Sequence, residues 1–294
     1  AAAVSAASGT QTVVMAPTEL LVEQHYANFR TWLEPLSVDV ACLTGSVLGA
    51  ARSDRLARIA AGDAQVVIGT HALFQQEVVF RNLAFVVVDE QHRFGVDQRL
   101  ELKLKGKDGT HLPHLLVMTA TPIPRTLAMT AYADLDCSII DELPAGRQPV
   151  RTAVMPDGKR PELVQRVLAH FRRGEQAYWV CPLIEESDTI DSQAAEQLES
   201  ELKAALPELK IALLHGRMKS SLKDQIMRCF KEGKLDLLVA TTVIEVGVDV
   251  PNATLMVVEN SERMGLAQLH QLRGRVGRGA TPSSCVLLYK SPLS

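Results

Sequence analysis

The sequence predicts an α/β fold of two domains, each a mainly parallel sheet flanked by helices. Three observations carry this expectation. Short β-branched runs alternate with helix-length amphipathic stretches along all 294 residues, as parallel strands with helical crossovers require. The alternation runs through twice. Between the two cycles, "DELPAGRQPV" (141–150) interrupts both periodicities with two prolines and a glycine, which places a domain break between 1–146 and 147–294.

In the first cycle the expected strands are "TVVMAPT" (12–18), "VDVACLTG" (38–45), "AQVVIGTH" (64–71), "LAFVVVDE" (83–90), "HLLVMTATP" (114–122) and "CSIIDE" (137–142). In the second they are "VRTAVMP" (150–156), "QAYWVCP" (176–182), "KIALLHG" (210–216), "LDLLVATT" (235–242), "ATLMVVEN" (253–260) and "SSCVLLYK" (283–290). Helical spacing links Val22, Tyr26, Phe29 and Leu33, then Leu163, Val167 and Phe171, then Leu198, Leu202 and Leu206, then Leu222, Ile226 and Phe230. Each set reads as the core face of a helix.

Composition narrows the class. With 47% hydrophobic and 22% charged residues the chain reads as a soluble globular protein. No apolar run approaches a bilayer-spanning length, and "AAAVSAASG" lacks the basic flank of a secretory signal, so the expected location is the cytoplasm. Cys42, Cys137, Cys181, Cys229 and Cys285 are scattered singly, which argues against a disulfide framework or a zinc ribbon. The net charge of −3 gives no basic field for nucleic acid, so such binding would rest on local amides and arginines.

Ligands of open parallel sheets sit at the carboxyl ends of the strands. The segments at those ends are "APTELL" (16–21), "TGS" (44–46), "GTH" (69–71), "DEQH" (89–92), "TATPIPRT" (119–126), "HGRM" (215–218) and "ATTVIEVGVDVP" (240–251). A helix before the last strand carries "QLHQLRGRVGR" (268–278). This series resembles the two-domain, RecA-like motor of superfamily 2 helicases, in that family's order and over nearly the whole chain. More narrowly, "DEQHRFG", "TATPIPRTLAMTAYADLD", "DELPAGR", "QAYWVCPLIEES", "LLHGRM" and "ATTVIEVGVDVPNA" resemble the RecG family of ATP-dependent DNA helicases, which remodel stalled replication forks. The motor of the transcription-repair coupling factor is the second candidate, similar around "RFGV" and "TATPIPRTL".

The resemblance implies ATP and Mg²⁺ as cofactors and assigns roles residue by residue. Asp89 would hold Mg²⁺ through its water shell, and Glu90 would polarise the water that attacks the γ-phosphate. The other reading of this pair is that it only caps the next turn. Gln91 and His92 would link the nucleotide site to the facing domain. Arg275 and Arg278, three apart on one helical face or turn with Gly274 and Gly277 between and beside them, would stabilise phosphate charge in the transition state; alone, such a cluster reads as a solvated basic helix. Gly247 and Asp249 resemble positions bordering the nucleotide sugar, with Gln271 beside them in the coupling set. Thr119 and Thr121 suit hydrogen bonds that pass the state of the carboxylates onward, and would otherwise cap a turn.

Backbone amides at helix starts suit DNA phosphates of any sequence. Thr18, Thr44 with Gly45, Thr70 with His71, His215 with Gly216, and Thr241 with Thr242 stand at such points, where each is also an ordinary turn residue. The expected partner is therefore branched or forked DNA gripped by its backbone, by a monomer, without base readout. The resemblance implies branch remodelling in recombination and repair, at forks and Holliday junctions.

One element of the family is missing. The phosphate-cradling loop G-x-x-x-x-G-K-[ST] has no match: Gly106-Lys107 runs into Asp108, Gly158-Lys159 into Arg160, and Gly233-Lys234 into Leu235. "AAAVSAAS" and Gly9 read as the tail of a helix with its glycine stop, so the first strand and loop of the P-loop fold are expected to lie before Ala1. The chain as it stands is expected not to hydrolyse ATP, and a non-hydrolysing DNA-binding module is the alternative for it.

Overall fold

The computed structural model describes residues 1–90, 105, 112–119, 136–142, 146–171, 173–182, 188–241, 250–279 and 281–291. The chain separates into two compact units, Ala1–Ala120 and Thr121–Ser294.

The first unit opens with α1 (Ala2–Ala7), which ends as its sequence suggests, with Gly9 at φ +71°. Strands β1 (Gln11–Met15), β2 (Val40–Leu43), β3 (Val66–Gly69), β4 (Leu83–Val88) and β5 (His114–Val117) form one sheet in the order β2-β3-β1-β4-β5. Every described pairing is parallel. β1 and β3 are buried at every position, as strands covered on both faces must be. Helices α2 (Glu19–Leu33) and α3 (Gly49–Ala61) connect them, α2 against β2 and β3 and α3 against β2. Val13, Met15, Leu43, Ile59, Val67, Leu73, Val86 and Val88 belong to one continuous core.

The second unit holds β6 (Arg151–Pro156), β7 (Gln176–Val180), β8 (Ile211–Leu214), β9 (Leu237–Ala240), β10 (Ala253–Val258) and β11 (Ser284–Tyr289), ordered β6-β11-β10-β7-β9-β8 and again parallel. Its helices are α4 (Arg160–Phe171), α5 (Asp188–Ala205), α6 (Ser220–Lys231) and α7 (Leu266–Arg273). One sheet face packs Trp179, Val239, Val257 and Leu288 against Leu163, Val167 and Phe171 of α4 and against Leu198 and Leu202 of α5. On the buried side of α6, the rings of Phe230 and Tyr178 meet with centroids 4.9 Å apart.

The two units repeat one device. Gln11 and Gln176 each begin a central strand, and both side chains are buried. Gln11 Nε2 donates to the carbonyls of Ile59 and Ala64, both at 2.9 Å, where α3 ends. Gln176 Nε2 donates to those of Phe230 and Leu235, at 2.7 and 2.6 Å, where α6 ends. The backbone N–H groups of the same residues donate to Asn82 and Asn252, each the residue before the adjacent strand. Helix C-termini leave carbonyls without intrahelical donors. A glutamine at the strand start supplies them from inside the core.

Three expectations need correction. "CSIIDE" (137–142) is not a strand: the segment is exposed throughout, Ile139 and Ile140 at 81% and 93%, so it gains nothing from sheet burial. Of the expected α6 set only Phe230 is buried: Leu222 is 43% exposed and Ile226 half-buried, and Met227 is buried beside Phe230. On α2, Tyr26 and Phe29 are only half-buried, while Leu20, Leu21, Val22 and Leu33 are buried.

Gly69 closes β3 where the chain has no room for a side chain. A Cβ there would lie 2.3 Å from the Leu43 carbonyl oxygen and 2.8 Å from Leu73 Cγ. The expected cost of Gly69→Ala is about 1 to 3 kcal/mol, the range of an overpacked core. Urea unfolding of wild type and variant measures it, and unchanged stability would show that the β2–β3 end yields freely.

Candidate active site and nucleic-acid edge

The hydrogen-bond ladder of the first sheet runs one residue past its strands. Ala16 N–H donates to Gly69 O at 3.1 Å, Thr70 N–H to Leu43 O at 3.3 Å, Asp89 N–H to Met15 O at 2.9 Å and Met118 N–H to Val88 O at 2.8 Å. The residues expected to carry chemistry in this unit therefore leave the sheet along one carboxyl edge: Thr18, Thr44, Gly45, Thr70, His71, Asp89, Glu90 and Thr119.

Asp89 stands at the end of β4, its side chain about one-fifth exposed. Its Oδ1 accepts from Glu90 N–H at 2.9 Å, and Oδ2 lies 2.8 Å from His25 Nε2 on α2. A carboxylate only accepts, so Nε2 carries the proton in this bond. Glu90 is buried, 9% exposed, and holds φ +50°, in the left-handed region that non-glycine residues seldom adopt. Such a conformation costs about 1–3 kcal/mol and persists where surrounding structure enforces it. The chain thus turns sharply at the strand end and buries the Glu90 side chain.

The threonines of this edge act locally as turn formers. Thr18 is the N-cap of α2 and its Oγ1 accepts from Leu21 N–H at 3.4 Å. Thr70 Oγ1 accepts from Ala72 N–H at 3.4 Å in the short turn His71–Phe74. Thr44 is buried and bonds Ser46 Oγ at 2.9 Å, while Ser46 N–H donates to Glu19 Oε1 at 3.0 Å. Gly45 and His71 are exposed beside them, and so is Thr119.

The second unit repeats this edge: Cys181 N–H donates to Ala240 O, Thr241 N–H to Leu214 O and Glu259 N–H to Val180 O, at 2.8, 3.1 and 2.9 Å. His215, exposed Gly216 and buried Thr241 lie along it. Thr241 Oγ1 is buried without a hydrogen-bond partner among the described residues. Glu259 occupies the place that Asp89 has in the first sheet, but bonds inward, accepting from Trp179 Nε1 at 2.9 Å and lying 3.1 Å from Arg160 Nε.

The arginines stand elsewhere. α7 ends at Arg273, so Arg275 and Arg278 lie on the turn after it, not on the helix; Gln271 is in its last turn. Arg275 is buried, Arg278 half-buried with Nε donating to Gly274 O at 3.4 Å. Gly277, at φ +72°, would place a Cβ 2.7 Å from Val150 Cγ2, and a Cβ on Gly279 would lie 2.9 Å from Pro251 O. Val150 and Pro251 precede β6 and β10, so this turn belongs to the amino edge of the second sheet, opposite His215 and Thr241. A crossover helix returns the chain to the start of the next parallel strand, and the close approach allowed by Gly277 is to this unit's own Val150. Gln91, His92, Thr121, Thr242, Gly247 and Asp249 lie outside the described residues. Among those described, no group of three His, Cys, Asp or Glu residues could hold a metal ion, and none of the five cysteines is in a disulfide.

Residues 1–130 match the DEAD/DEAH box helicase family and residues 159–280 the helicase conserved C-terminal domain. The chain is 62% identical over 289 residues to the ATP-dependent DNA helicase RecG of Escherichia coli (strain K12), covering 98% of this chain and 42% of that protein. The chain belongs to the superfamily 2 helicases and is RecG-like. Its RecG counterpart in Bacillus subtilis (strain 168) is 48% identical over 282 residues, 96% of this chain and 41% of that one. A structure of RecG bound to a three-way DNA junction superposes with a TM-score of 0.81 at 43% identity, covering 96% of this chain and 36% of that chain. The Mycobacterium smegmatis helicase Lhr shares the fold, with a TM-score of 0.69 at 21% identity, over 96% of this chain and 40% of that chain. The chain thus spans about two-fifths of the length of the RecG relatives it matches, and their family uses ATP.

Two residues of this RecG-like chain escape a reading of its sequence, His25 and Glu259. His25 lies three residues after Val22 and four before Phe29, which puts a polar ring on the face of α2 turned to the sheet. That spacing is the one signal of it in the sequence. Burial pushes the Glu259 carboxyl above its ordinary 4.5, against the pull of Arg160 and the Trp179 N–H. The folded state therefore holds this proton more readily than the unfolded one, and the stability gained from protonation is greatest below 4.5 and is lost as pH rises through the raised folded value. Glu259→Gln lacks that proton equilibrium, so its stability relative to wild type should rise between pH 4.5 and pH 7; urea midpoints that move in parallel would contradict this.

Proposed function

We propose that this chain is the motor core of a RecG-like, ATP-dependent DNA translocase that remodels branched DNA, at forks and Holliday junctions, in recombination and repair. The observation that carries the reading is the carboxylate pair at the end of β4: Asp89 at the surface of the edge, Glu90 buried behind a strained turn. The RecG structure bound to a three-way DNA junction supports DNA as partner. The nucleotide-handling domain spans 1–146 and the second domain 147–294, and the protein works in the cytoplasm as a monomer. No described helix is long and apolar enough to cross a membrane.

Asp89 fits Mg²⁺ as a single hard oxygen donor, with lone pairs left after its bonds to His25 and Glu90, and Mg²⁺ keeps several waters. Bound Mg²⁺·ATP supplies the phosphoanhydride whose cleavage drives the motor. Glu90 orients and polarises the attacking water, and Arg275 and Arg278 meet the phosphate charge. Thr119 and Thr121, with Gln91, His92, Gly247, Asp249 and Gln271, couple the nucleotide's state to DNA. Amides and hydroxyls at Thr18, Thr44, Gly45, Thr70, His71, His215, Gly216, Thr241 and Thr242 hold one strand by its phosphates. Nothing in that set reads a base, so affinity depends on salt and branch geometry instead of sequence.

The 294-residue chain by itself binds DNA without hydrolysing ATP, because it carries no G-x-x-x-x-G-K-[ST] loop. Phosphate release on a three-way junction tests both statements. The full-length protein carrying this chain should hydrolyse ATP in a DNA-stimulated manner, and Glu90→Gln should lower that rate about 10²-fold or more. The 294-residue chain should release none. DNA-stimulated hydrolysis by the chain that disappears in Glu90→Gln would overturn the second statement, and an unaffected Glu90→Gln full-length protein the first.

A further inference from the structure

Asp89 is joined twice to one continuous segment. Its N–H donates to the carbonyl of Met15, the last residue of β1, and its Oδ2 accepts from His25 on α2, the helix that β1 leads into. Between these two anchors lie Ala16, Pro17 and the N-cap Thr18. The segment therefore forms a bracket: strand end, turn, helix start, and two helical turns later the imidazole that grips the carboxylate. His25 follows Thr18 by seven residues, a rise of about 10 Å along the helix. Both side chains are only about one-fifth exposed, so the bond is partly shielded from water. The start of the bracket is itself braced, since Glu19 Oε1 accepts from Ser46 N–H in the neighbouring turn.

A bracket of this kind transmits position. Rotation or translation of α2 moves the His25 ring, and the ring holds one oxygen of Asp89. Whatever binds at the α2 N-terminus and whatever binds at Asp89 must then share one placement of the helix, which is the requirement for energetic coupling between two sites. We propose that His25 is a positioning residue that ties the Asp89 carboxylate to α2, so that DNA phosphate held at the α2 N-terminus and Mg²⁺·nucleotide at Asp89 bias the same helix placement. The inference rests on the proposed motor function for what occupies the two ends.

The test measures binding, apart from turnover. Affinity of the full-length protein for a fluorescent, non-hydrolysable ATP analogue with Mg²⁺ is determined with and without a saturating three-way junction. Junction affinity without nucleotide and the thermal unfolding midpoint are recorded for each variant. Wild type should bind the analogue more tightly with junction present, by a factor in the range of about 5- to 150-fold typical of coupled sites. His25→Leu, which fills the space but cannot donate, should reduce that factor to within about 2-fold while leaving unfolding and junction affinity near wild type. His25→Gln, whose amide nitrogen can take the place of Nε2, should restore most of it. A His25→Leu protein that keeps the full junction effect overturns the proposal, and so do equal losses in Leu and Gln variants with a lowered unfolding midpoint, which would mark a packing role. Wild type that shows no junction effect would overturn the motor function itself, on which the proposal depends.

Discussion

The bond from Asp89 N–H to Met15 O is the constraint on which the candidate site depends. β4 pairs with β1 on one side and β5 on the other, and Val86 and Val88 are fully buried. A strand so placed resists slipping, because a shift of one residue would draw the Asp89 carboxylate into the buried ladder. Its last ladder bond therefore fixes where the chain may first bear charge. Asp89 is the first residue past the apolar run, and Glu90 follows it in a left-handed turn with its side chain buried. The site is a consequence of where burial ends.

The second sheet shows which parts of this geometry belong to the architecture and which to the chemistry. β10 corresponds to β4 in sheet order, each lying next to a strand that starts with a buried glutamine. It too ends in an acid followed by a residue at positive φ, Glu259 and Asn260, the latter at φ 44°. The turn is thus shared. The direction of the acid differs: Glu259 is taken up by Trp179 and Arg160, whereas Asp89, among the described residues, meets one ring and one amide at the rim. The same strand end serves as an internal brace in one unit and as an accessible carboxylate in the other.

Eleven of the twelve expected strands form, and most could be read because a parallel strand buried on both faces is a short, nearly continuous apolar run, and such runs have few other uses. "CSIIDE" satisfies the same local pattern and fails, because strand formation needs a neighbouring edge and cover, which are not properties of six residues. The carboxyl-edge residues were legible for a related reason: in a parallel sheet the end of an apolar run is also a place on the molecule. Arg275 and Arg278 lie after a helix, so no such rule located them, and the amino edge where they stand became visible only through Val150 and Pro251. His25 was hidden because its partner is 64 residues away and only the fold makes them neighbours.

The two sheets also differ at one edge. In the second, the outer side of β11 is covered by β6, in register from Ser284 opposite Arg151 to Tyr289 opposite Pro156, and Leu288 is fully buried. In the first, β5 corresponds to β11, yet it ends the sheet among the described residues, with Leu112, Leu116 and Met118 exposed at 54%, 44% and 36%. An edge strand with exposed apolar side chains is a ready template for another strand. Leu116 and Met118 forgo the apolar burial that Val286 and Leu288 have at the matching places, at roughly 25 cal/mol per Å². Among the described residues, the first sheet therefore buries less at the strand next to the one that bears Asp89 and Glu90. A parallel strand added beside β5 would strengthen the wall behind the carboxylates, so sheet completion and the positioning of the site are one physical problem.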